Sequence, residues 1–133
     1  MMKTLWIAPL LLAGCVEQEL DVSVEAGGVL FQENCAACHG VDAKGMGDFG
    51  EQLFTMPPDL TVLAADNGGN FPRDYVLGVI DGFERGSHFS AAMPEFGAGD
   101  MGPTVVVEDE FGLGTPIPAR LLALGSWLES VQE

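Results

Sequence analysis

Residues 35–40 read CAACHG, which places two thiols and an imidazole within five positions. The chain has 3 cysteines in all, and the third, Cys15, lies far upstream. Several chemistries use such a pair. A structural disulfide suits an exported protein. A redox-active C-x-x-C pair normally sits in a βαβ context, and none is visible here. A zinc site wants four ligands, and His88 is the only other histidine to offer. The residue after the second cysteine decides among them.

C-x-x-C-H is the attachment signature of c-type haem. The two thiols add across the porphyrin vinyl groups, and His39 then lies under the iron to supply an imidazole nitrogen. One turn of backbone sets both the ring and one axial ligand. The surrounding stretch, EAGGVLFQENCAACHG, resembles the first helix and haem loop of class I cytochromes c. The resemblance implies that Gly27 permits a close crossing by the last helix and that Phe31 packs into that crossing. A linker glycine is the simpler reading of Gly27, although a helix that retains two glycines, each costing about 1 kcal/mol relative to alanine, suggests close backbone contact.

The elements that must position these groups are legible in part. From Pro118 the chain reads PARLLALGSWLESVQE, with Leu121, Leu124, Leu128 and Val131 at helical spacing. Taken alone this is a core helix. Beside the Gly27–Phe31 match, Leu124 and Trp127 resemble the family's leucine-then-aromatic pattern. A helix is predicted over Arg73–Asp81, opened by Pro72 and closed by Gly82.

The iron's second axial ligand has five candidates: His88, Met46, Met56, Met93 and Met101. Spacing and context favour Met93, which follows the predicted helix and sits in AMPEFG, similar to the family's Met-Pro ligand loop. His88 is the main rival, read more simply as a solvated loop residue, and Met101 stands behind it. The segment MPPDL falls where the family has a proline-containing loop on the histidine side. The resemblance implies that a carbonyl near Pro57 or Pro58 accepts the His39 Nδ1 proton. Arg73, Tyr75 and Trp127 are candidates to hydrogen-bond a haem propionate, with core packing as the alternative for the two aromatics.

The run PTVVVEDEFGLGTPIP departs from the family. Val105–Val107 and Gly114–Ile117 pair as a small hairpin or form an ordered loop, with Glu108, Asp109 and Glu110 as its solvated tip.

The chain opens with Lys3 and an apolar run, Leu5 to Leu12, too short to span a bilayer and suited to a signal sequence. Leu12-Ala13-Gly14-Cys15 resembles the lipobox of bacterial lipoproteins. That resemblance implies cleavage before Cys15, lipidation of its thiol and a stable membrane anchor. An ordinary secretory signal and an apolar first helix are the alternatives. Residues 1–14 are therefore read as a signal peptide, 15–24 as a lipidated acidic tether, and 25–133 as a cytochrome c domain.

The 133 residues, with 20 acidic side chains against 5 basic ones, allow one small and strongly acidic domain. Nucleic acid is excluded as a partner, because phosphate binding needs clustered Lys and Arg. A basic docking surface on a redox protein fits the charge. The expected fold is all-α, wrapped around one covalently attached haem c, with the hairpin an insertion near residues 104–117. The expected function is one-electron transfer between respiratory redox proteins, not enzymatic turnover, at the periplasmic side of a bacterial cell envelope. The alternatives are a haem-bearing subunit of an oxidase or dehydrogenase, a haem sensor or peroxidase with a displaceable sixth ligand, and a non-haem lipoprotein with a Cys35–Cys38 disulfide.

Overall fold

The computed structural model describes residues 20–86, 92–108 and 111–133. The signal segment, Cys15, tether residues 15–19, His88, Asp109 and Glu110 lie outside the described residues. Among the described residues, no helix is long and apolar enough to cross a membrane.

The first helix, α1, spans Val24–Asn34. It starts inside the segment assigned to the tether, because Ser23 Oγ accepts the Ala26 N–H at 3.1 Å and so satisfies one of the orphan donors at the helix start. Cys35 ends α1 and α2 follows at once, over Ala36–His39. A third short helix, α3, covers Leu63–Asp66. The fourth, α4, runs Arg73–Asp81 between Pro72 and Gly82, as its flanking residues predict. Gly82 takes φ 118°, a left-handed cap that a side chain would strain. The last helix, α5, spans Ala119–Ser130.

Between Met93 and α5 the chain forms an antiparallel pair, β1 (Thr104–Glu108) and β2 (Gly114–Pro118). Val105 pairs with Ile117, and both turn toward the core, whereas Val106 and Val107 are exposed. The fold is thus mostly helical with one small sheet, each strand slightly longer than its sequence pattern suggests. A two-stranded ribbon has two edges, which is where Pro116 and Pro118 are tolerated.

Helix α5 is the centre of the packing. Leu121, Leu122, Leu124 and Leu128 are buried along it. On one side α1 crosses so closely that a Cβ on Gly27 would collide with the Ala123 carbonyl and lie 2.8 Å from Trp127 Cβ. Phe31 stacks on Trp127 with ring centroids 4.3 Å apart. On another side α4 brings Val76, Leu77 and Ile80 into the same core. Beyond α5, Gln132 Nε2 donates to the carbonyls of Leu60 (2.8 Å) and Leu128 (2.7 Å). Its Oε1 accepts the Ala64 N–H at 2.8 Å. The end of the chain therefore holds the Leu60–Ala64 segment in place.

Gly27→Ala should destabilise the folded protein by about 1–3 kcal/mol through overpacking at a backbone contact. Gly86, with nothing near a would-be Cβ, should tolerate the same change within about 0.5 kcal/mol. Denaturant midpoints of the two variants check this, and equal midpoints would contradict the close crossing.

Candidate functional site

A four-residue helix cannot satisfy its own terminal carbonyls. In α2 the following loop does so. Gly40 N–H donates to the Ala36 carbonyl (2.9 Å), Phe49 to Ala37 (2.9 Å), Gly47 to Cys38 (3.2 Å) and Gly45 to His39 (2.7 Å). Asp42 Oδ1 accepts the Lys44 N–H at 3.1 Å and tightens the turn. Gly45 sits at φ +83°, and a Cβ there would strike the Pro57 carbonyl. The loop thus carries residues 57–58 up beside the histidine, and a bond from Leu60 N–H to the Ala43 carbonyl (2.8 Å) secures the approach.

His39 Nδ1 is buried and makes no hydrogen bond of normal geometry. The Pro58 carbonyl nevertheless acts on the ring and raises its basicity, while burial, the larger effect, holds it below its ordinary 6.5. The carbonyl therefore faces the imidazole without a well-formed bond, on the segment that the MPPDL reading singles out. The imidazole is neutral at neutral pH, the form that ligates a metal.

Cys35, Cys38 and His39 line one cavity of about 350 Å³. Its walls are mostly carbon: Phe31 from α1, Ile80 from α4, Leu124 and Leu128 from α5, and Leu60 from the proline segment. Burial, with a smaller effect from Cys38, pushes the Cys35 thiol up to about 11. A thiol so protonated is a poor nucleophile, unlike the cysteines of redox-active pairs. The two sulfurs are not joined to each other as a disulfide. Among the described residues, no group of three or more His, Cys, Asp or Glu side chains could hold a metal ion, so zinc finds no ligand set there. An apolar cavity bearing two thiols and a neutral imidazole fits a flat apolar macrocycle with a metal at its centre.

Met93 lines this cavity, with Pro94 and Phe96 beside it. Met56 lines it too, two residues before Pro58, whereas Met46 and Met101 do not. Met101 instead packs against the core. Of the propionate candidates, Tyr75 lines the cavity and is 57% exposed. Arg73 is paired with Glu129, and Trp127 is committed to Phe31 and to the Gly28 backbone.

One residue escapes the sequence reading. The Arg85 guanidinium donates to the carbonyls of Val79 (3.3 Å), Met93 (2.7 Å) and Pro94 (2.5 Å). A basic residue just past a helix C-terminus is the signal that could have found it.

The family model described as Cytochrome c matches residues 24–102, from the first residue of α1 to just before the hairpin. No curated protein matches the chain, and no solved structure does. The family match covers more than half of the chain, which therefore belongs to the cytochrome c family. It binds haem c covalently and serves haem-based electron transfer.

The segment beside His39 also makes a pH prediction. Asp59 Oδ1 accepts the Thr61 hydroxyl (2.6 Å) and N–H (2.8 Å). These bonds hold its carboxyl below the ordinary 3.8. A depressed acid stabilises the fold fully above its ordinary value, and the contribution is lost as pH falls through the lower folded value. Asp59→Asn should therefore flatten the acid limb of stability below about pH 4 and leave its slope near neutrality unchanged. Denaturant midpoints across acid pH read this directly.

Proposed function

We propose that this chain is a one-electron carrier with a single haem. Cys35 and Cys38 hold the macrocycle through thioether bonds, and His39 and Met93 ligate its iron. The observation that carries the reading is that Met93 lines the same cavity as both cysteines and His39. Met56 is the other methionine of that cavity, but it lies on the segment whose Pro58 carbonyl faces His39.

The bound haem supplies reversible exchange between ferric and ferrous iron. The residues of the chain set how that exchange is used. A neutral thioether opposite an imidazole favours the reduced state and raises the potential. With His39 and Met93 both holding the iron, no position would be left for dioxygen or peroxide. The apolar walls would keep water from the ring, and the Pro58 carbonyl lies close enough to His39 Nδ1 to accept its proton once a bond of normal geometry forms.

The reduced protein should bind carbon monoxide slowly or not at all. Met93→Ala should open the iron, speed binding by at least about tenfold as the open population rises, and remove the near-infrared band of sulfur-ligated ferric haem. Rapid binding by the parent would favour the sensor or peroxidase reading.

The carrier is proposed to work at the periplasmic side of a bacterial cell envelope, tethered by lipid on Cys15. Its partners are proposed to be redox proteins with a basic docking patch. Once Lys3 is removed with the signal segment, four basic side chains remain, and each is engaged. Lys44 pairs with Glu133 (2.7 Å), Arg73 pairs with Glu129, Arg85 holds carbonyls, and Arg120 donates to the Asp100 carbonyl (3.2 Å). The charge left for an approaching partner is acidic. Electron transfer to such a partner should slow as ionic strength rises from about 0.01 M to 0.15 M, where the screening length falls from about 30 Å to 8 Å. A stopped-flow rate that is flat across that range would contradict electrostatic steering.

One observation favours a fixed subunit as the second reading. The hairpin lies beyond the family match and exposes Val106, Phe111 and Leu113.

A further inference from the structure

The backbone that carries Met93 has little structure of its own. It leads into a single turn of 3-10 helix at Phe96–Ala98, and Pro94 has no N–H to give. Among the described residues, no backbone donor reaches the Met93 or Pro94 carbonyl. Arg85 reaches both. Nη1 and Nη2 take the two successive carbonyls, while Nε points to the Val79 carbonyl at the end of α4. That carbonyl is among the last four of the helix, which have no intrahelical partner.

Arg85 is itself anchored to the same helix end. The Gly82 and Glu84 N–H groups both donate to the Gly78 carbonyl, at 3.0 and 3.1 Å. This tight turn fixes the backbone just before Arg85. The loop also rests on α4 directly. A Cβ on Gly82 would lie 3.1 Å from Glu95 Cγ, and Gly97 leaves no room for a side chain against Asp81. A rigid planar fork with parallel N–H groups suits two adjacent carbonyls, whereas an ammonium is a single point donor on a flexible stem. The cation also sits at the negative end of the helix dipole.

We propose that Arg85 is a positioning residue for the methionine ligand. By gripping the Met93 and Pro94 carbonyls from the end of α4, it keeps the loop closed and the thioether on the iron. The proposal rests on Met93 being the ligand. Without the fork, the loop regains the backbone freedom that two fixed residues had lost. It then opens locally while the helices stay folded.

The test uses the haem-loaded protein with Arg85→Lys, Arg85→Met and Met93→Ala. The near-infrared sulfur–iron band and the far-ultraviolet helix signal are followed together on heating, and the carbon monoxide binding rate of the reduced protein is measured. In the parent the band and the helix signal should disappear together. In both Arg85 variants the band should vanish at a lower temperature than the helix signal, with carbon monoxide binding faster by about tenfold, the change that a tenfold rise in open population produces. A general loss of stability would shift both signals equally and leave no gap between them. If Arg85→Met does not yield folded protein, Arg85→Lys carries the test, since it keeps the charge and loses only the fork. An Arg85→Lys protein indistinguishable from the parent overturns the proposal. Loss of the band in Met93→Ala alongside parent-like Arg85 variants overturns the clamp and leaves the ligand standing. A band that survives in Met93→Ala overturns both.

Discussion

The contact on which the rest of this molecule depends is the crossing of α1 over α5 at Gly27 and Ala123. Two backbones meet there with no side chain between them. That closeness puts Phe31 on Trp127, and the same Phe31 then forms part of the cavity wall. It also fixes α5, whose Leu124 and Leu128 line the cavity. Gln132, just beyond α5, secures Leu60 and Ala64. The Pro58 carbonyl beside His39 lies two residues before Leu60. One small-residue contact thus reaches the histidine through a short series of bonds.

The cavity explains how so small a chain forms a domain. Domains of this size bury a modest share of their surface and gain from a covalent or cofactor staple. A haem held at Cys35 and Cys38, as proposed, would supply apolar surface for Phe31, Ile80, Leu124 and Leu128 to bury against.

Much of this was legible in the sequence, and the reasons are local. The α4 boundaries follow from Pro72 and Gly82, whose backbone preferences need no tertiary context. The hairpin follows from β-branched residues flanked by glycines. The Gly27–α5 contact was legible only through family resemblance, since a glycine in a helix is ambiguous by itself. What was not legible depends on side chains reaching across the fold. Arg85 reaches forward eight and nine residues to the Met93 and Pro94 carbonyls, and back six to Val79. Trp127 was open between propionate and core, and it stacks on Phe31, while Arg73 pairs with Glu129. Gln132 gave no signal at all, because its partners lie about seventy residues away in sequence. Ala43 adopts φ 62° in a fully buried position, a strained backbone that only the packed loop imposes.

Every other assignment depends on the covalent attachment of a porphyrin between residues 35 and 39. That attachment is tested most directly by mass analysis of the mature protein and of the proteolytic fragment containing those residues, from cells competent in haem attachment. The fragment should carry one macrocycle, and neither sulfur should react with an alkylating reagent. A fragment of unmodified mass, with both thiols free or joined to each other, would contradict the attachment.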